Sequence, residues 1–144
     1  LLLVGGGPEE SALRRTAREA GVTDRVLFTG ERPCFPDGGP GPDLPSLTCA
    51  MDVFASPSPE EAFGLAAVEA LASGLPVLYA SCPAIEDLPA HTAPAAHRVG
   101  GGPEAFVRAL AGTRATTPGP RGAAEAARHY DITRSAARLM DVYT

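Results

Sequence analysis

The 144-residue sequence contains no tryptophan and no lysine, so all twelve of its basic side chains are arginines. With seventeen acidic residues the formal net charge is -5, which argues against a nucleic-acid partner or adhesion to an anionic membrane. No apolar run approaches the roughly 20 residues that a membrane span requires, and no secretory signal peptide is visible. We therefore expect a protein with neither a nucleic-acid partner nor a membrane span.

Cysteine and histidine are scarce, with three of each. Cys34, Cys49 and Cys82 are odd in number and lack Cys-x-x-Cys spacing, which favours a reduced, cytoplasmic protein over a disulfide framework. The histidines have no His or Cys partner at ligand spacing. The sequence therefore predicts no metal site.

Short apolar segments alternate with helical patterns along the chain. The predicted strands lie at residues 1–4 (buried), 25–28, 52–55, 76–80 and 98–99. The predicted helices lie at residues 9–20, 44–50, 63–73, 84–88, 103–110, 123–129 and 132–142. This alternation indicates an α/β fold, a Rossmann-like open parallel sheet with helices on both faces.

The length suits one domain over residues 1–144, and the abrupt start without Met suggests a piece of a longer chain. Residues 33–45, rich in Pro and Gly, predict a loop that acts as a mobile flap, and residues 113–121 predict a second loop. The two closing helices are amphipathic and predict an inward-facing apolar set, namely Ala126, Ile132, Ala136, Leu139 and Met140.

Residues 57–77 are the most informative segment. Glu69 is the one charge in an otherwise apolar helical run, and a lone buried carboxylate needs hydrogen-bond donors, which a ligand with hydroxyl groups would supply. Glu61 stands eight positions earlier, roughly 12 Å away along the axis if the helix is continuous. Spacing alone leaves open a solvated Glu61 and a Glu69 that is satisfied by a neighbouring core donor.

The glutamate pair, the Phe63-Gly64 between the two, and the exit Ser73-Gly74-Leu75-Pro76-Val77 together resemble the Glu-x7-Glu motif of retaining GT-B glycosyltransferases. The sequence is most similar to the bacterial hexosyltransferases of family 4. This resemblance implies the C-terminal, nucleotide-sugar-binding half of a GT-B fold, joined in the parent chain to an N-terminal acceptor domain. The implied reaction transfers a sugar from a nucleotide diphosphate sugar to an acceptor with retention, without a metal ion or other cofactor.

The resemblance also assigns site residues. It places the catalytic Glu61 near the hydroxyls of the donor sugar and Glu69 on the ribose. The remaining donor-binding positions are backbone amides near the phosphates, at Phe63, Gly64 and Leu65, and a loop near the nucleobase, at Gly30, Glu31 and Arg32. The family's basic phosphate-binding pair corresponds to sequence upstream of residue 1.

Ala62 departs from the family pattern, which commonly has Gly there. If this position needs a positive φ, Ala62 would strain the loop that presents Glu61. Two other classes remain open: a GT-B-shaped sugar-nucleotide epimerase and a non-catalytic scaffold of the same fold. An oxidoreductase is a weaker alternative, because the Gly5-Gly6-Gly7-Pro8 turn lacks the later glycine of a dinucleotide fingerprint.

Overall fold

The computed structural model describes residues 1–34, 41–114 and 122–143. The chain divides into two compact units, Leu1–Met51 and Asp52–Thr144. Each unit has its own parallel sheet. The expectation of one domain over residues 1–144 stays a prediction.

The described residues of the first unit form two parallel strands, two helices and a short 3-10 turn. Its elements are β1 (Leu2–Leu3), α1 (Glu10–Glu19), the turn Thr23–Arg25, β2 (Leu27–Phe28) and α2 (Leu44–Cys49). Leu2 lies opposite Leu27 in the parallel pair. The strand at β1 is half-buried and not buried as predicted, because among the described residues of this unit it pairs with β2 alone.

Helix α1 ends as the sequence predicts, at a glycine. Gly21 has a φ of +65°, a left-handed conformation that glycine adopts without strain. The N–H groups of Gly21 and Val22 donate to the carbonyls of Arg18 and Ala17 at 3.0 Å. These two bonds satisfy carbonyls that the end of the helix leaves open.

The flap predicted at residues 33–45 is only partly described, since residues 35–40 lie outside the described ranges. Its last two residues belong to α2, which begins at Leu44. Asp43 caps that helix, because its carboxylate accepts the N–H of Ser46 at 2.8 Å. The flap itself stays a prediction.

The part of the second unit that the structure describes has three parallel strands, β3 (Phe54–Ser56), β4 (Val77–Tyr79) and β5 (Ala96–Arg98), with β4 in the middle. Every residue of β4 is buried, as expected for a central strand. The largest fully buried side chains belong to this strand and its neighbours: Leu71, Leu75, Val77, Leu78 and Cys82. The predicted α/β architecture with a parallel sheet is therefore confirmed.

Five helices and a short 3-10 turn accompany this sheet in the described residues. They are α3 (Leu65–Ala72), α4 (Pro83–Glu86), the turn Ala90–Thr92, α5 (Pro103–Arg114), α6 (Glu125–His129) and α7 (Ile132–Tyr143). Helix α5 runs one turn beyond its predicted end, so the first two residues of the loop predicted at 113–121 are helical, and residues 115–121 lie outside the described ranges. None of the helices within the described chain combines the length and apolarity needed to span a bilayer.

The inward-facing prediction for the closing helices is right for Ala126 and wrong for α7. Ala126 is completely buried, whereas no described residue of α7 is buried, and Ile132 is 82% exposed. The other α7 residues of the predicted set are exposed too, namely Ala136, Leu139 and Met140. An amphipathic period shows that one face of a helix is apolar, but it does not show what covers that face.

We expect α7 to depend on its cap, because packing contributes little to it. Asp131 accepts the N–H groups of Thr133 and Arg134 at 2.8 and 3.2 Å, and these bonds lower the pKa of Asp131. Asp131→Ala should therefore reduce helicity measured by far-UV circular dichroism, while Asp141→Ala, at the other end of the helix, should not.

The pH dependence of the cap has a definite sign. Because the folded-state pKa of Asp131 is lowered, its contribution is complete above the ordinary aspartate pKa of about 3.9 and is lost as the pH falls through the lower folded value. The helicity difference between the parent and Asp131→Ala should vanish at that low pH. A difference that persists there would contradict the assignment.

Candidate functional site

The start of α3 is formed by a glycine that no other residue could replace without strain. Gly64 precedes the helix with a φ of +102° and is buried. A Cβ placed on it would lie 2.3 Å from the Sγ of Cys82, much closer than real Cβ contacts allow. Residue 64 must therefore lack a side chain for two reasons, backbone conformation and space.

The doubt over Ala62 is resolved by this geometry. No described residue other than glycine has a positive φ, so Ala62 adopts an ordinary backbone conformation. The left-handed position of this loop is Gly64, two residues later. Ala62 in place of glycine therefore introduces no left-handed strain beside Glu61.

Three backbone donors of described residues are left open where α3 begins, the N–H of the buried Gly64 and those of the exposed Leu65 and Ala66. The first helical bonds run from the N–H groups of Ala67 and Val68 to the Gly64 carbonyl, each at 3.1 Å. The N–H groups of Leu65 and Ala66 make no backbone hydrogen bond within the described chain. Both residues are exposed. These donors lie at the positive end of the helix, which suits them to bind an anion.

Glu61 is tied to the same loop. One carboxylate oxygen accepts the N–H of Phe63 at 3.2 Å, and the residue is half-buried. The estimate of roughly 12 Å to Glu69 assumed a continuous helix, and that assumption is wrong, because α3 begins only at Leu65. Glu61 is a loop residue beside the helix start.

Glu69 is exposed, and the prediction of a charge on a fully buried helix is wrong. One face of α3 is buried, at Ala67, Val68, Ala70 and Leu71. The opposite face is exposed, at Leu65, Ala66, Glu69 and Ala72. The sequence of α3 predicts burial on all sides because alanine is counted as apolar, although alanine occurs on both the buried and the exposed faces of helices. The carboxylate accepts no hydrogen bond from a described residue, so the core-donor alternative is not supported.

Gly30, Glu31 and Arg32 belong to the first unit. Gly30 has a φ of +69°, and its carbonyl accepts the N–H of Gly5 at 2.9 Å, which joins the segments after β1 and β2. Glu31 is exposed and Arg32 is half-buried. The roles that the resemblance implies for these residues stay predictions.

Nothing in the sequence singles out Cys82, which lies against the loop that carries Glu61, Phe63 and Gly64. It is buried, and its Sγ is 3.7 Å from the carbonyl oxygen of Phe63. Burial raises the pKa of the Cys82 thiol, and the nearby carboxylates of Glu61 and Glu86 raise it further. The thiol therefore stays protonated and acts as packing and as a weak donor, not as a nucleophile.

Glu86 and Arg98 complete the surroundings of Cys82. Glu86 accepts the Cys82 N–H at 3.1 Å and lies 3.7 Å from the Arg98 guanidinium, which also donates to the Ala80 carbonyl at 3.2 Å. Within the described ranges no group of three or more His, Cys, Asp or Glu side chains could hold a metal ion. The arrangement at α3 therefore offers anion-binding amides with a carboxylate on either side.

We expect Gly64→Ala to lower the free energy of unfolding by at least about 2 kcal/mol, because it combines a left-handed alanine with a clash against Cys82. Urea denaturation measures this change. Gly7→Ala is the matched control, since a Cβ at Gly7 meets no atom within 4 Å. The double variant Gly64→Ala/Cys82→Ala should recover the part due to the clash. A Gly64→Ala variant as stable as the parent would contradict this account of the loop.

Comparison with known proteins gives a consistent result. Residues 1–114 match the family model described as glycosyl transferases group 1. The D-inositol 3-phosphate glycosyltransferase of Salinispora tropica is 36% identical over 154 residues, covering 99% of this chain and 30% of that protein. The 2-deoxystreptamine glucosyltransferase of Streptomyces kanamyceticus is 40% identical over 76 residues, covering 53% of this chain and 18% of that protein.

Solved structures agree on the fold. WaaG, a glycosyltransferase involved in lipopolysaccharide biosynthesis, is 27% identical with a TM-score of 0.68, covering all of this chain and 38% of WaaG. Anabaena HepE in complex with UDP has a TM-score of 0.75 at 22% identity, covering 99% of this chain and 40% of HepE, and so shows the fold alone. The chain spans less than half the length of each of these relatives.

Proposed function

Since this chain belongs to the glycosyl transferases group 1 family and forms a GT-B glycosyltransferase domain, we propose that it is the donor-binding half of a retaining glycosyltransferase. Its substrate is a nucleotide diphosphate sugar, and the acceptor is held by an N-terminal domain of the same parent chain. The observation that carries the proposal is the pair of open N–H groups at Leu65 and Ala66, with Glu61 before them and Glu69 after them.

The diphosphate of the donor binds at the start of α3. The N–H groups of Leu65 and Ala66 donate to its oxygens, and the positive end of the helix dipole attracts its charge. As the sugar departs, negative charge grows on the diphosphate, and the fixed amides stabilise that charge. This arrangement gives the leaving group its stabilisation without a metal ion or other cofactor.

Glu69 binds the ribose hydroxyls. It lies four residues after Leu65, so the two positions share one face of the helix and are about 6 Å apart along its axis. Both are exposed on that face. A nucleoside that extends from a diphosphate at the helix start would bring its ribose to this carboxylate.

Glu61 acts at the other end of the donor as the catalytic residue. One of its oxygens already accepts the Phe63 N–H, which holds the carboxylate beside the helix start. Its remaining acceptor positions are available to hydroxyls of the transferred sugar. None of the three cysteines forms a disulfide within the described residues, which suits a reducing compartment, and we place the reaction in the cytoplasm.

Glu69→Gln should weaken nucleoside diphosphate binding by at least about 1 kcal/mol, because charge-assisted hydrogen bonds to the ribose are lost. Calorimetry with UDP and GDP measures this. Stability should change by less than about 0.5 kcal/mol, since Glu69 is exposed. Glu104→Gln, an exposed glutamate on α5, is the control and should bind as the parent does. Undiminished affinity in a folded Glu69→Gln protein would overturn the ribose assignment.

The 144 residues alone should bind nucleotide weakly, with a Kd at or above ~0.1 mM, or about -5.5 kcal/mol. They should transfer no sugar, because transfer requires donor and acceptor to be held together. The full-length parent should transfer the sugar with retained anomeric configuration, measured by NMR of the product, and a chelator should not inhibit it. Sugar transfer by the 144 residues alone would contradict the proposal that a second domain is required. A parent that neither transfers nor binds nucleotide would favour the scaffold alternative.

A further inference from the structure

Helix α6 lies along α3 from one end to the other. At one end the Ala124 N–H donates to the Leu71 carbonyl, in the last turn of α3, at 3.0 Å. Ala126, in the first turn of α6, is completely buried. At the other end Tyr130, which closes α6, contacts Phe63, just before α3 begins. The two helices therefore run antiparallel, and the end of α6 lies at the proposed diphosphate site.

Tyr130 makes two contacts there. Its ring meets that of Phe63 edge to face, with centroids 5.1 Å apart and planes at 81°. Its hydroxyl donates to the Ala84 carbonyl at 2.7 Å. Burial raises the pKa of Tyr130, helped by the nearby Asp87 and Cys82, so the hydroxyl remains a donor across the neutral range. Both the ring and the hydroxyl are thus engaged.

Together with backbone hydrogen bonds, these contacts restrain Phe63 at three points. The Ala84 N–H donates to the Phe63 carbonyl at 2.9 Å, so Tyr130 reaches Phe63 both directly and through Ala84. The Phe63 N–H donates in turn to the carboxylate of Glu61. Phe63 is therefore held at its N–H, its carbonyl and its ring, and Tyr130 takes part in two of these three restraints.

We propose that Tyr130 is a positioning residue for the donor site: it fixes Phe63 so that Glu61 and the open N–H groups of α3 are presented in one geometry. This inference rests on the proposed function. Within the described residues no hydrogen bond joins the Tyr130 side chain to those groups, and it acts through Phe63 and Ala84. A site that is already ordered binds its ligand without first losing conformational freedom.

The test compares Tyr130→Phe with Tyr143→Phe in the full-length protein. Tyr130→Phe keeps the ring and removes the hydroxyl, and Tyr143, which is 80% exposed on α7, is the matched control. Hydrogen exchange of residues 61–66, measured without ligand, should be several-fold faster in Tyr130→Phe only. The Kd for UDP or GDP, measured well below the melting temperature, should rise roughly three- to tenfold, the change expected from one lost hydrogen bond.

A second readout separates positioning from general stability. The donor KM should rise in Tyr130→Phe while the acceptor KM stays unchanged, and a variant that is merely less stable would change neither at low temperature. Tyr130→Phe with the affinity of the parent overturns the proposal, whether or not its exchange is faster. If the parent itself binds none of UDP, GDP, ADP and dTDP, the proposed function fails and this inference fails with it. That case is recognised from the parent alone, before any variant is measured.

Discussion

The close approach of Gly64 to Cys82 is the constraint on which the rest of this site depends. Because residue 64 carries no side chain, the loop lies against the buried thiol, and the Phe63 carbonyl comes within reach of the Ala84 N–H. The same residue, in a left-handed conformation, turns the chain into α3. The open N–H groups at the start of the helix and the place of Glu61 beside them both follow from that one contact.

The charged groups around this contact are carboxylates and an arginine, whereas the buried thiol of Cys82 is neutral. Burial raises the pKa of the Cys82 thiol, the carboxylates of Glu61 and Glu86 raise it further, and Glu86 is itself close to Arg98. The thiol is therefore neutral, and the negative charges lie at the loop and at the start of α4. A donor diphosphate would enter where α3 supplies open N–H groups, beside carboxylates suited to hydroxyl groups and not to phosphate.

The order and type of the elements could be predicted from the sequence because local periodicity and glycine stops determine them, as at Gly21. The exposure of Glu69 could not be predicted, because the period of a helix does not show that only one side of α3 is covered. The same reason explains the wrong prediction for α7. The role of Tyr130 could not be predicted, because its hydroxyl donates to the carbonyl of Ala84, 46 positions away in the sequence. Only the tertiary structure shows this pairing. The sequence predicts that α3 begins at residue 63, two residues too early, because it does not show that Gly64 has a left-handed backbone conformation.

The antiparallel run of α6 along α3 has a consequence for how the molecule assembles. A backbone hydrogen bond joins Ala124 to Leu71, and a ring contact joins Tyr130 to Phe63. Each of these contacts links two segments that the ribosome synthesises at well-separated times. Closing such long loops costs entropy before any contact compensates for it. The strands around β4 can pair while synthesis continues, but the loop that carries Glu61 gains its last restraint only after Tyr130 has emerged. Nascent chains should therefore acquire a sheet well before they acquire an ordered donor site.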